Sequence, residues 1–200
     1  RSTNREEIYW GSVLAGSIGE TALPEIHNLL DSSDWKVRCN GLVAIERIKS
    51  ELSLPFLLEL LEDEYMTIRK LAVKCLGIIS IPTAKIDLLK LINSGDTEMR
   101  LTVLEALACI GGEDLIEVFL EALQDENWLV QRQALKGIEK LRCPEFKEVL
   151  LNFTPSEELE EDYIKCIAVY RDASFIKGLL KRMQGEVTVP RLKSLIYAVG

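Results

Sequence analysis

Apolar positions along this chain fall three and four residues apart, and the whole pattern returns every 31 residues. In the first part of each unit, Leu23, Ile26, His27 and Leu30 are followed by Leu54, Leu57, Leu58 and Leu61, then Leu88, Leu89 and Ile92, then Ile116, Phe119, Leu120 and Leu123. Such spacing collects them on one helical face. A second stripe follows in each unit: Val37, Gly41, Ala44, Ile45 and Ile48; Ile68, Ala72, Cys75, Leu76 and Ile79; Met99, Val103, Ala106, Leu107 and Ile110; Val130, Ala134, Gly137, Ile138 and Leu141. Between the stripes lie polar runs such as Asp31-Ser-Ser-Asp34 and Ser94-Gly-Asp96, whose side-chain oxygens suit the N-terminus of a second helix. Pro24 and Pro55 stand near the starts of the first helices, where a missing N–H costs little.

Each unit is therefore predicted to be a pair of antiparallel helices. Neither helix can bury its stripe alone, so the pairs must stack, and small residues at 41, 44, 72, 75, 106, 134 and 137 allow close approach. The expectation is an all-α fold, an α-solenoid, forming one domain over residues 1–200. Residues 1–19 would be an N-terminal half repeat, its helix running from Arg5 to Ile18 and ending at Gly19. Residues 20–141 would hold four regular repeats and 142–200 divergent ones, truncated at the end. There Pro155 to Asp162 reads as an acidic, helix-starting insertion, Tyr163 to Tyr170 as a resumed helix, Phe175 to Met183 as a first helix and Pro190 to Gly200 as a cut second one. A chain opening on Arg1 and closing on Gly200 inside a helical pattern reads as part of something longer.

The runs WKVRCNGLVAIERI, MTIRKLAVKCLGII, TEMRLTVLEALACI and WLVQRQALKGIEKL fit the pattern D-x-x-V-R-x-x-A-x-x-A-L-x-x-I. In this the chain resembles the HEAT repeat family, and its spacing is most similar to the short, phycobilisome-lyase-like subtype. The resemblance spans nearly the whole chain. It implies a scaffold for protein–protein contact, with the second helices lining a concave side. A minority of the family are bilin-attaching lyases, hydroxylases or DNA glycosylases.

Charge narrows these options. A net charge of -8 speaks against a general binder of nucleic acid or of anionic membranes, whose surface would be basic. No apolar run has the length of a membrane span, and no secretory signal opens the chain. The five cysteines, at 39, 75, 109, 143 and 166, form no C-x-x-C pair, which argues for reduced thiols, an intracellular setting and no metal site.

The conspicuous repeated residues read as structural. Arg38, Arg69 and Arg100 head the second helices, where a guanidinium can bridge turn carbonyls and carboxylates such as Asp34, Asp63 or Asp96; Gln131 interrupts the row. Trp35 and Trp128 share one register and should cover the seam between repeats at the turn. His27, the single histidine, occupies a position given to Leu58, Leu89 and Leu120 elsewhere and so reads as packing. With one histidine, neither a di-iron hydroxylase site nor a hydrolytic triad can be assembled, and no catalytic residue or cofactor is assigned.

The candidate partner-binding residues lie opposite the second-helix stripe. Helical geometry selects Cys39, Val43 and Glu46; Lys70, Lys74 and Gly77; Leu101, Glu105 and Ala108; Arg132, Lys136 and Glu139. Two basic pairs with Glu105 between them invert the overall charge there. They could be solvated, with Lys74, Glu105 and Lys136 pairing sideways, or they could hold a partner. The leading expectation is a non-catalytic, monomeric scaffold whose groove takes an acidic and apolar segment of another protein, with Lys70, Lys74, Arg132 and Lys136 supplying charge and Val43, Leu101 and Ala108 apolar contact. The alternative is a bilin-lyase-like subunit holding an acidic tetrapyrrole. A nucleic-acid-binding or glycosylase role fits the acidic composition least.

Overall fold

The computed structural model describes residues 5–93, 96–175 and 177, and these contain eleven α-helices and no strand. Beyond Phe175 and Lys177, the helices expected at 175–183 and 190–200 lie outside the described residues. The fold is an α-solenoid of helix pairs, and it divides into two compact units, one ending at Ile110 and the other starting at Gly111.

In the first unit, α1 (Arg5–Ile18) precedes three pairs: α2 (Leu23–Leu30) with α3 (Trp35–Ile48), α4 (Leu54–Glu59) with α5 (Met66–Ile79), and α6 (Lys85–Leu91) with α7 (Thr97–Ile110). The second helices pack on one another in the order α1, α3, α5, α7, and each of α2, α4 and α6 lies on its own partner. The second unit holds α8 (Ile116–Ala122) with α9 (Trp128–Leu141) and α10 (Phe146–Asn152) with α11 (Glu160–Ala168). There α9 packs on α8 and α11, while α10 packs on α8. The pairing thus continues past Leu141: Phe146 and Leu150 of α10, both fully buried, hold the places of Leu115, just before α8, and Phe119 within it.

The boundaries of these helices follow from local chemistry. Asp34 accepts the N–H of Lys36 at 2.9 Å, Asn127 that of Leu129 at 3.0 Å and Asp96 that of Met99 at 2.6 Å. Such caps satisfy donors with no partner inside the helix and contribute about 1 kcal/mol each. At the other end, α3, α5 and α9 stop on Lys49, Ser80 and Arg142, all left-handed, with φ of 56°, 61° and 55°. The equivalent residue after α7 is Gly111, at φ 75°. The left-handed stop therefore shares the repeat, although glycine, the residue that adopts it without strain, occurs once in the four positions.

Burial on the second helices is wider than the expected stripe. Leu42, Val73, Leu104 and Leu135 are all at 0% exposure, beside the expected Ile45, Leu76, Leu107 and Ile138. A helix that packs both on its own first helix and on the neighbouring second helices must bury two flanks, which a one-sided stripe understates. Close approach is confined to a few points. A Cβ on Gly77 would stand 2.5 Å from the Ala106 Cα of α7, and one on Gly137 would stand 2.1 Å from the Phe119 ring of α8.

Candidate functional site

The face of α3, α5 and α7 left open by this packing carries Val43, Lys74 and Glu105 at one register and Cys39, Lys70 and Leu101 at another. Val43, Cys39, Lys70 and Leu101 are half-buried, whereas Lys74 and Glu105 are exposed. Leu71 and Ile78, missed from the sequence, lie half-buried beside them on α5. Gly77 and Ala108, expected on this face, are buried instead. They sit where adjacent second helices meet, and at Gly77 the neighbouring backbone comes too close for a larger residue. The open strip is therefore narrower than helical geometry alone suggests, and Ala108 gives it no apolar contact.

The basic residues are engaged by carboxylates one repeat away. Lys74 Nζ lies 3.1 Å from Glu46 Oε1 and 3.2 Å from Oε2, and Lys70 Nζ pairs with Glu98. In the second unit, Arg132 Nε donates to Asp162 Oδ2 at 2.7 Å; Lys136 is exposed and Glu139 half-buried on the same helix. Sideways pairing of Lys74 thus reaches back to Glu46. A solvent-exposed pair such as Lys74–Glu46 contributes between nothing and about 1 kcal/mol. The effect of these pairs on recognition is larger, because they remove the local excess of positive charge that Lys70, Lys74 and Arg132 carry in the sequence. Glu98 and Asp162 escaped the sequence reading because neither lies in the register of the face.

The repeated arginines serve the turns. Arg38 is 7% exposed; its Nη1 donates to Ser32 O at 2.6 Å, its Nη2 to Asp63 Oδ1 at 3.0 Å, and its Nε lies 2.9 Å from Asp63 Oδ2. Arg69 Nη1 donates to Asp63 O and, at 3.3 Å, to Glu64 O. Gln131 keeps the pattern rather than breaking it, for its Nε2 donates to Asp125 O at 2.7 Å, again six residues back. Arg100, at the equivalent place in α7, is half-buried. Trp35 stacks on Tyr65 of the following repeat with centroids 5.8 Å apart, and the Arg38 guanidinium lies 5.5 Å from the same ring centre. Trp128, by contrast, is 41% exposed.

His27 is placed in a seam between repeats. Its ring stacks on Phe56 of α4 at 3.8 Å, and its Nε2 lies 3.1 Å from the hydroxyl of Ser53, which has no solvent exposure. Burial lowers the imidazole pKa, with Asp31 opposing it in part. Ser50, also buried, donates to Glu20 Oε1 at 2.5 Å across the same two repeats.

The cysteines are free thiols. Burial raises the Cys75 pKa to about 12 and pushes Cys166 and Cys143 upward as well, so none of the three supplies a thiolate near neutral pH. Cys39 is raised mainly by burial, with Arg38 pulling it down and Asp63 up. Among the described residues no group of three or more His, Cys, Asp and Glu side chains could hold a metal ion, and no helix is long and apolar enough to cross a membrane.

Comparison with known proteins agrees with this geometry. The family model for HEAT repeats matches residues 23–108 and 87–161. Curated protein sequences give no match. Among solved structures, the chain is similar to the complex of CpcE and CpcF of phycocyanin lyase from Nostoc sp. PCC7120, with a TM-score of 0.61 and 18% identity, covering 100% of this chain and 90% of that one. It is also similar to two engineered proteins. One has a TM-score of 0.57 and 19% identity, covering 88% of this chain and 94% of that one. The other has a TM-score of 0.52 and 19% identity, covering 90% and 57%. At such identities the likeness is one of fold, and the family match over most of the length makes the chain a member of the HEAT repeat family.

Proposed function

We propose that the chain is a non-catalytic scaffold whose second helices hold a segment of another protein on their open face. The observation that carries this reading is the contrast between Val43, Lys74 and Glu105, which differ at one register of that face, and the buried Ile45, Leu76 and Leu107, which stay alike two positions on. Packing dictates the second set and leaves the first free to recognise something. In the first unit the surface would centre on Val43, Leu71 and Leu101, with the Glu46–Lys74 and Lys70–Glu98 pairs at its sides. In the second unit Arg132, Lys136 and Glu139 of α9 would serve. Because three of the basic residues already hold carboxylates, the partner segment would offer apolar side chains with mixed charge, not the acidic stretch that the sequence suggests.

The alternative of a bilin-binding lyase subunit has the shared fold in its favour. Against it, the propionates would compete with Glu98, Glu46 and Asp162 for the same cations. Mixing the protein with a free bilin separates the two readings: a shifted visible spectrum favours the lyase reading.

The scaffold reading is tested with a partner captured from the native host, identified by mass spectrometry and titrated by calorimetry as an isolated segment. Val43→Arg with Glu105→Arg should weaken binding at least tenfold with an unchanged helical signal. Ile86→Asp, on the exposed side of α6, should leave it intact. Equal affinity for both variants would remove the open face as the binding surface.

A further inference from the structure

We propose that His27 makes the seam between α2 and α4 a proton-operated latch, closed while its imidazole is neutral and loosened when the ring takes up a proton. The starting point is the Ser53 hydroxyl. It is fully buried, and among the described residues its hydrogen-bond partner is His27 alone. With a neutral ring protonated on Nδ1, the hydroxyl donates to Nε2, and both groups are satisfied. Protonation of Nε2 turns that atom into a donor, so the bond must reverse. The serine oxygen then accepts, and its own proton is left without an acceptor in a site closed to water, which is costly. Phe56 covers one face of the ring at 3.8 Å, so the new charge is also partly desolvated.

The charged groups around the ring do not cancel this. Glu25 lies on its own helix and Asp31 directly after it, and Asp31 acts on the imidazole, favouring the proton. On α3, which packs on α2, the charged residues are Lys36, Arg38, Glu46 and Arg47, with Arg38 held by Asp63. From the next repeat, Glu51 and Glu59 stand on the elements that carry Ser53 and Phe56, and both are exposed. Glu20, before α2, is engaged with Ser50. Desolvation outweighs Asp31, so the closed seam binds the proton less readily than the opened chain does. By linkage, lower pH then favours opening. The other three repeats place Leu58, Leu89 and Leu120 at this register, so the device belongs to one seam only.

The chain has a single histidine, so an imidazole titration seen in the intact protein can be assigned without ambiguity. Proton NMR of the His27 ring, with hydrogen exchange of the α2 and α4 amides corrected for intrinsic rates, is followed from pH 7.5 to 5.0. The ring should titrate below its ordinary value. Opening of α2 and α4 should rise several-fold towards pH 5.0, since each pKa unit of difference is about tenfold in the equilibrium. The double variant His27→Leu with Ser53→Ala carries residues that the other repeats use at these places, and its opening should not change with pH. A ring that titrates at or above the ordinary value overturns the proposal, as does the same pH response in the double variant.

Discussion

Arg38 of the first repeat and Asp63 of the second are joined through two atoms each, Nη2 to Oδ1 at 3.0 Å and Nε to Oδ2 at 2.9 Å, with side chains 8% and 7% exposed. The same Asp63 Oδ1 accepts the N–H of Tyr65 at 2.8 Å, and the same guanidinium holds the carbonyl of Ser32 at 2.6 Å. One buried pair thus closes the turn before α3, begins α5 and fixes two repeats to each other. The carboxylate belongs to the following repeat, which is why a repeated arginine needs no repeated acid beside it.

Removing one partner of this pair leaves a buried charge. Asp63→Ala should cost about 3 kcal/mol by urea unfolding. Arg38→Met combined with Asp63→Asn, which keeps the side-chain acceptor for Tyr65, should recover a large part of that loss. If Asp63→Ala unfolds at the wild-type midpoint, the pair is not what holds the seam.

The left-handed stops give a prediction of the opposite sign. Lys49→Gly and Arg142→Gly relieve a strained backbone at φ 56° and 55° and should each stabilise the protein by roughly 1 kcal/mol. Gly111→Ala should destabilise it by a similar amount. Thermal melts of the three variants suffice, and a fall in melting temperature for both glycine variants would contradict the reading.

Glycine serves packing at Gly77 and little of the kind at Gly11, where nothing lies within 4 Å of an added Cβ. Gly77→Ala should cost about 1–3 kcal/mol through overpacking against Ala106. Gly11→Ala, inside α1, should instead stabilise by up to about 1 kcal/mol. Chemical denaturation of the two variants should move their midpoints in opposite directions.

Thiol reactivity reports on the core. Cys75, Cys143 and Cys166 are buried and their pKa values are raised, so alkylation at pH 8 should reach them only through unfolding. Cys39 and Cys109, half-buried, should be modified first. Mass spectrometry after a timed pulse with iodoacetamide resolves the order; early labelling of Cys166 would show that α11 opens locally.

Asp172 lies beside Lys147 and caps Ser174, and these hydrogen bonds hold its carboxyl well below the ordinary value of 3.8. A depressed carboxylate pKa stabilises the fold above its unfolded value and ceases to as pH falls through the folded one. The difference in melting temperature between the wild type and Asp172→Asn should be full at pH 6 and shrink below about pH 4. A difference independent of pH would exclude the ionised carboxylate as its source.

The stripes of three and four residues were enough to place α3, α5, α7 and α9, because in a stacked array the same contacts recur and the sequence must repeat with them. The helix at Arg5–Ile18 and the place of Arg38 and Trp35 at the start of α3 were legible for the same reason. Helix α10 was not legible in the same way: Phe146 and Leu150 keep the spacing, but the polar, acidic run at 155–162 follows them where the earlier units have a short turn. Tertiary structure alone decided what lies between repeats. It buried Leu42 and Ala108, set Gly77 against Ala106, gave Lys74 to Glu46 and Lys70 to Glu98, and joined His27 to Ser53. Local spacing specifies which residues share a face of one helix. Which atoms of the next repeat meet that face depends on how closely two backbones approach, and that distance is set by packing in three dimensions.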